Sequence, residues 1–229
     1  MKNEYQSFWF SEAIAKEGEL NIKQLKNNIK SDICIVGGGY TGLWTALQLK
    51  QKQPNLNIVL IEKDLCGSGA SGRNGGCMLP YSTKFSTMKK VVGEKDAINM
   101  VTASEKALFK IKDFCNENNI NAQIRIDGEL YTATNKTHEG FFENLIKDLK
   151  VSNINSWKRW PKLDIQKKAG SKKPIDGYFS PLSGSLHPAF LVRGLKKIAE
   201  KKGIAIFENT SMINHKEKNK IVINTEKGS

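Results

Sequence analysis

Apolar residues recur along this chain with two different periods. Residues 32–36, Asp-Ile-Cys-Ile-Val, and residues 57–62, Asn-Ile-Val-Leu-Ile-Glu, are short unbroken apolar runs, the pattern of strands buried on both faces. Between them, Leu43, Ala46, Leu47 and Leu49 keep mainly to one helical face over residues 40–52. Pro54 and Asn55 stop that helix. Strand, helix and strand within about 30 residues make one βαβ unit, whose right-handed crossover gives parallel strands.

Further on, Ala97, Val101, Leu108, Ile111 and Phe114 space out helices between about 87 and 118. Residues 123–133 read as a hairpin, with Asp127 and Gly128 in its tight turn. Thr134 or Asn135 is placed to cap a helix running to about 150, with Phe141, Phe142, Leu145, Ile146 and Leu149 facing inward. Residues 151–175, with Trp157 and Trp160, read as loop, and Tyr178 and Phe179 as strand. A helix is expected over 188–202, ended at Gly203, then a buried strand at 204–207 and the start of a further hairpin at 213 and 221–223. Residues 1–30 read as a polar lead-in with one aromatic cluster, Phe8, Trp9 and Phe10.

The candidate chemistry sits at the first strand–helix junction. Gly37-x-Gly39-x-x-Gly42 follows a buried strand, opens a helix and precedes a second strand ending in Glu62. In that context Gly37 permits the tight turn, Gly39 lets the backbone approach a pyrophosphate, and Gly42 lets helix and strand pack closely. The pyrophosphate is expected on the helix N-terminus, where free N–H groups and the helix dipole favour anions. Glu62 is positioned to accept from ribose hydroxyls and to repel a 2′-phosphate. This fingerprint alone does not separate NAD from FAD. The following segment does: residues 67–76, GSGASGRNGG, come directly after the second strand, where a nicotinamide enzyme usually continues into another helix. Small residues there let the chain run close beside a large planar ligand, and Ser71, Arg73 and Asn74 supply donors.

Composition narrows the partners. With 39% hydrophobic residues over 229 positions a packed core is feasible. The net charge of +13 invites a nucleic-acid reading, but it comes from 32 Lys against 4 Arg. Arg does most bidentate phosphate and base recognition, so solvated Lys on helix faces is the expected source and no nucleic-acid partner is expected. No apolar run reaches the ~18 residues of a membrane span, and no signal peptide is read, so a cytoplasmic protein is expected. Cys34, Cys66, Cys77 and Cys115 lack zinc-like spacing, and no metal site is expected. His138 and His215 read as solvated and His187 as structural.

The segments VGGGYTGLWTALQL, IEKDLCGSGASGRNGGCM and SGSLHPAFLVRGLKKIAEKKGIAIFENT resemble the D-amino-acid oxidase/glycine oxidase superfamily of FAD-dependent oxidoreductases, and within it the gamma-glutamylputrescine oxidase-like members. The match runs in order from about Phe8 to the end of the chain. The resemblance implies an α/β fold: a Rossmann-type FAD-binding domain with part of an α+β substrate domain. The expected division is a lead-in at 1–30, a first FAD-domain segment at 31–85, a substrate-domain segment at 86–182 and a return to the FAD domain at 183–229. It implies FAD contacts at Gly37, Gly39, Tyr40, Thr41, Gly42, Glu62 and Lys63. It implies more at Ser71, Gly72, Arg73, Asn74, Gly75, Gly76, Cys77 and Met78. No His occurs between 67 and 78, so the histidyl–flavin linkage of some relatives is not expected.

The implied reaction is oxidation of the C–N bond of an amine or amino acid by hydride transfer to the flavin, with O2 as acceptor. The alternatives are a dehydrogenase serving a quinone or electron-transfer partner, and a non-catalytic flavin-binding module. No catalytic acid or base is singled out. Members of the resembling family are generally longer, and this sequence stops inside a hairpin pattern, so a truncated N-terminal portion is expected.

Overall fold

The computed structural model describes residues 7–217 and 219–229, which form two compact units. The first holds the described residues up to 75 together with 115–122 and 187–229; the second holds 76–114 and 123–186.

In the first unit β1 (Ile33–Val36) and β2 (Ile58–Ile61) are parallel, in register from Ile33 opposite Ile58 to Val36 opposite Ile61. The helix α2 (Tyr40–Lys52) is their crossover. On the other side of β2 lies a third parallel strand, β8 (Ala205–Phe207), with Leu60 opposite Ile206. The order β1–β2–β8 puts β2 in the middle, and all four of its residues are buried. Each such aliphatic side chain contributes roughly 1.5–3 kcal/mol relative to exposure. β1 departs from the fully buried strand expected: its first three residues are half-buried and Val36 is 50% exposed. The reason is its edge position, since among the described residues β2 is its only ladder partner.

Helix α7 (Pro188–Lys201) leads into β8. Pro188 fills its first turn, where a missing N–H costs nothing. The ring Nδ1 of His187 accepts from the Phe190 amide at 3.1 Å, so His187 is the N-cap and is itself buried. Leu191, Val192, Leu195, Ile198 and Ala199 form its buried stripe. The supposed polar lead-in contains a helix, α1 (Phe8–Glu17), capped by the Ser7 hydroxyl accepting from the Phe10 amide at 3.2 Å. Phe10 and Ala13 bury against Ala189 of α7, with Trp9, Ile14, Leu65 and Phe190 around them. The antiparallel pair β9 (Met212–Glu217) and β10 (Ile221–Thr225) forms the expected terminal hairpin.

In the second unit β4 (Glu129–Ala133), β6 (Asp176–Ser180) and β5 (Lys158–Arg159) form an antiparallel sheet in the order β4–β6–β5. A short ladder pairs β3 (Cys77–Met78) with β7 (Gly184–Ser185). Its helices are α3 (Phe85–Val92), α4 (Glu94–Glu117), α5 (Glu143–Val151) and α6 (Lys162–Ala169). The last residues of α4 belong to the first unit. Phe85, Ala97, Val101, Leu149, Ile154, Trp157 and Tyr178 form the core here. The Trp157 indole N–H donates to the Ser82 hydroxyl at 2.9 Å.

Three expectations for this unit change. Residues 123–133 do not fold on themselves: β4 pairs with the distant β6, while Arg125 forms only an isolated bridge to Ser185. The expected tight turn at Asp127 and Gly128 is not formed either: Gly128 stands at φ +85°, but residues 126–128 run into β4 as irregular chain, and the Gly128 amide donates to the distant Ser183 carbonyl at 3.0 Å. Asn135 caps a three-residue 3-10 turn by accepting from the His138 amide at 3.2 Å, and α5 begins only at Glu143. The expected loop 151–175 contains β5 and α6. Helix α6 buries a single residue, Ile165, so it lacks the repeated stripe by which helices are read. No helix among the described residues is long and apolar enough to cross a membrane.

Candidate cofactor site

The glycine turn connects the carboxyl end of β1 to the first turn of α2. Gly37, at φ +108°, donates its amide to the Ile61 carbonyl at 2.8 Å, which ties the turn to the end of β2. Gly38 donates to Glu62 Oε2 at 2.7 Å, and the Asp64 amide donates to Oε1 at 3.0 Å. The Glu62 carboxylate is therefore aimed by two backbone amides, and each oxygen keeps a further lone pair.

Gly39 is the N-cap of α2 and offers no side chain to the helix end. Its amide and those of Thr41 and Gly42 have no protein acceptor among the described residues. The Tyr40 amide does have one, the Ser71 hydroxyl at 2.9 Å. A Cβ on Gly39 would come within 2.9 Å of that hydroxyl oxygen, and a Cβ on Gly42 would run into the Gly37 carbonyl. The two glycines therefore differ in use. Gly42 closes helix against turn, and Gly39 leaves room both for an incoming group and for Ser71. A helix N-terminus with three unfilled amides and no obstructing side chain suits a diphosphate.

The glycine-rich segment supplies the second wall. Ala70–Gly72 form a 3-10 turn that presents Ser71 to α2. Arg73 spends its Nε–H on the Ser68 carbonyl at 2.6 Å. Asn74 spends its amide on the Ala70 and Ser71 carbonyls at 3.1 and 3.0 Å. These two side chains thus stiffen the loop itself. Burial pushes the Tyr40 hydroxyl up to about 12. It donates to the Pro188 carbonyl at 2.8 Å. Lys63 is exposed after β2, and Gly75 is exposed at the end of the loop. Gly76, Cys77 and Met78 belong to the second unit, where Cys77 lies opposite Ser185 and Met78 opposite Gly184.

Several residues that shape the site escape a reading by motif. A Cβ on Gly38 would strike the Cys66 side chain. Burial and the Glu208 carboxylate push the Cys66 thiol up, so it packs as a neutral group. Arg193 and Glu208, both buried, hold the Cys66 backbone. Among the histidines, His138 and His215 are exposed, and His187 is the α7 cap.

Turn, helix dipole and aimed acid together define a Rossmann-type dinucleotide-binding protein. The model of the DAO family, FAD dependent oxidoreductase, matches residues 32–229, and the chain belongs to that family. Its cofactor is FAD. The chain is 30% identical over 194 residues to a probable oxidoreductase OrdL of Haemophilus influenzae, covering 82% of this chain and 44% of that protein. It is 27% identical to the gamma-glutamylputrescine oxidoreductase of Escherichia coli, covering 89% of this chain and 47% of the relative. It is 26% identical to the L-2-hydroxyglutarate dehydrogenase of the same organism, covering 86% and 44%. Among solved structures, glycine oxidase from Geobacillus kaustophilus superposes with a TM-score of 0.70 at 18% identity, over 86% of this chain and 51% of that one. That likeness shows the fold. The chain spans about half the length of the relatives it matches.

Proposed function

We propose that this chain forms the FAD-binding part of an enzyme that oxidises the C–N bond of an amine or amino acid. The observation that carries the reading is the trio of unfilled amides on Gly39, Thr41 and Gly42 beside an aimed Glu62, in a chain of the FAD oxidoreductase family. When bound, FAD supplies a two-electron acceptor for a hydride from the carbon next to nitrogen, and water then hydrolyses the resulting imine.

The protein's own residues divide the binding work. The open amides of α2 take diphosphate oxygens, and the helix dipole favours their charge. Ser71 accepts from Tyr40 and so keeps its own O–H free to donate to a phosphate oxygen. Glu62 takes ribose hydroxyls. Tyr40 stays neutral at physiological pH and adds no negative charge beside the diphosphate. Gly37, Gly72, Arg73, Asn74 and Gly75 shape the loops, and Lys63, Gly76, Cys77 and Met78 are assigned to the cofactor surface on the resemblance. On the resemblance, the proposed domain division is FAD-binding segments at 31–85 and 183–229 around a substrate-domain segment at 86–182, bounds that differ from those of the two compact units at 76–85, 115–122 and 183–186. O2 is the proposed acceptor, and the proposed location is the cytoplasm.

The first test titrates the apoprotein with FAD and follows quenching of flavin fluorescence. Saturable one-to-one binding, lost in Gly39→Val with the circular dichroism spectrum retained, supports the assignment; absence of binding by the unsubstituted chain sinks it. The second test adds amines, D-amino acids and N-methyl glycines anaerobically and watches the flavin absorbance bleach. The similarity to an L-2-hydroxyglutarate dehydrogenase favours one rival, oxidation of a hydroxy acid with transfer to a quinone or electron-transfer partner. Bleaching by 2-hydroxy acids alone, with turnover on a dye acceptor and no peroxide, selects the rival.

A further inference from the structure

Four charged side chains cluster in the first unit, three of them buried and the fourth, Glu17, nearly so. Arg193 and Lys196 of α7 face Glu17 of α1 and Glu208 just beyond β8. Their side chains are 4%, 6%, 11% and 2% exposed respectively. Glu17 grips Arg193 through two bonds, Nε to Oε2 at 2.8 Å and Nη2 to Oε1 at 3.0 Å. Nη1 of Arg193 reaches Glu208 Oε1 at 2.8 Å, and Lys196 meets Glu208 Oε2 at 3.3 Å. The cluster is electrically balanced. A buried balanced cluster gains little net stability over an apolar one, because desolvation offsets the Coulomb attraction. Its value lies in the geometry it imposes.

That geometry ends on one peptide. The Cys66 amide donates to Glu208 Oε1 at 2.7 Å, and the Cys66 carbonyl accepts from Arg193 Nη1 at 3.3 Å. Both polar groups of Cys66 are thus taken by the cluster. The next amide, Gly67, donates to the Gly38 carbonyl at 3.0 Å. From this anchor the loop runs to Ser71, which accepts the Tyr40 amide. The far end of α1 touches the same loop: the Ser7 hydroxyl donates to the Gly72 carbonyl at 2.8 Å. The Phe10 ring lies so near Gly72 that a Cβ there would come within 2.9 Å of it. Helix α1 precedes residues 32–229, the stretch matched by the family model.

We infer that α1 is a brace for the flavin loop. Glu17, acting through Arg193 and Glu208, fixes the loop at Cys66, and Ser7 fixes it at Gly72. Glu17, Arg193 and Ser7 are positioning residues that set FAD affinity without touching the cofactor. This rests on flavin binding by the first unit.

The test uses the full chain as apoprotein with Glu17→Gln, which keeps the side-chain shape and removes its charge. Three quantities are read: the FAD dissociation constant, the urea midpoint of the apoprotein, and hydrogen exchange at the Tyr40 and Gly67 amides. The expected result is FAD binding weakened about tenfold, the size of one lost charge-assisted contact, with faster exchange at Tyr40 and Gly67 and unchanged exchange in β2. Should Glu17→Gln fail to fold, Ser7→Ala at the other end of the brace is read the same way, with a several-fold loss. A lower urea midpoint with unchanged FAD affinity and unchanged loop exchange in the folded variants overturns the brace and leaves a stability role. Failure of the unsubstituted chain to bind FAD overturns both the brace and the flavin reading. Normal binding by the unsubstituted chain with equal binding by both variants overturns the brace alone.

Discussion

Gly42 and Tyr178 are extremes of fit, and substitutions at them are expected to act in opposite directions. A Cβ at Gly42 would collide with the Gly37 carbonyl, which is backbone and has no rotamer with which to yield. Gly42→Ala must therefore push α2 off the turn. The expected cost is about 1–3 kcal/mol of overpacking, together with weaker FAD binding as the open amides lose alignment. Urea unfolding and flavin titration read the two effects, and an unchanged affinity would separate Gly42 from the cradle. Tyr178 presents the reverse case. It is fully buried, and its hydroxyl has no hydrogen-bond partner among the described residues. Burial, with the neighbouring Asp176 carboxylate, pushes it up to about 12. Asp176 is close enough to act on it, yet its oxygens already take Arg159 Nε at 2.8 Å and the Gly140 amide at 2.9 Å. An unpaired buried hydroxyl costs about 1–3 kcal/mol, so Tyr178→Phe is expected to hold or raise the urea midpoint. A fall in the midpoint would reveal a partner for that hydroxyl.

Elements built on local spacing were legible in the sequence, and elements held by distant partners were not. The strands at 33–36 and 58–61, the intervening helix and the Gly37-x-Gly39-x-x-Gly42 turn follow from neighbours a few residues apart. Glu62 was legible because an acid ends the second strand. The brace on the loop was not, since Cys66 meets Arg193 across 127 positions and Glu208 across 142. Helix α1 was obscured because Phe8, Trp9 and Phe10 stand consecutively, which blurs a helical stripe. The partner of strand β4 is not legible, because a tight-turn signal at Asp127 and Gly128 argues for a local hairpin, while the true neighbour, β6, lies more than forty positions further on.

The α1–α7 contact also predicts a pH dependence. Burial would raise the Glu17 carboxyl, but the Arg193 guanidinium, aided by Lys197 and Lys196, overcomes it and holds the group below its ordinary 4.5. A carboxyl depressed in the folded state contributes stability that is complete above its unfolded value and is lost as pH falls through the folded one. The urea midpoint is therefore expected to decline below pH 4.5, and Glu17→Gln is expected to flatten part of that decline. An identical acid profile in the variant would deny Glu17 its share.

At the scale of the whole molecule, the surplus charge of +13 comes from 32 Lys, and the cofactor it receives is an anion. The two facts meet in kinetics more than in affinity. A field of one sign raises the arrival rate of an opposite charge by roughly 10 to 10³, and salt removes that gain as the screening length shrinks from about 10 Å at 0.1 M to about 3 Å at 1 M. The cradle itself is made of backbone amides on Gly39, Thr41 and Gly42, short-range donors whose strength depends on contact. FAD association with the apoprotein is therefore expected to slow about tenfold or more between those two salt concentrations. Dissociation is expected to change much less, because the departing diphosphate breaks hydrogen bonds to fixed amides rather than pairs with mobile ammonium groups. Stopped-flow fluorescence separates the two rates. If salt instead accelerates dissociation in proportion, lysine side chains hold the diphosphate, and the helix terminus loses its principal role.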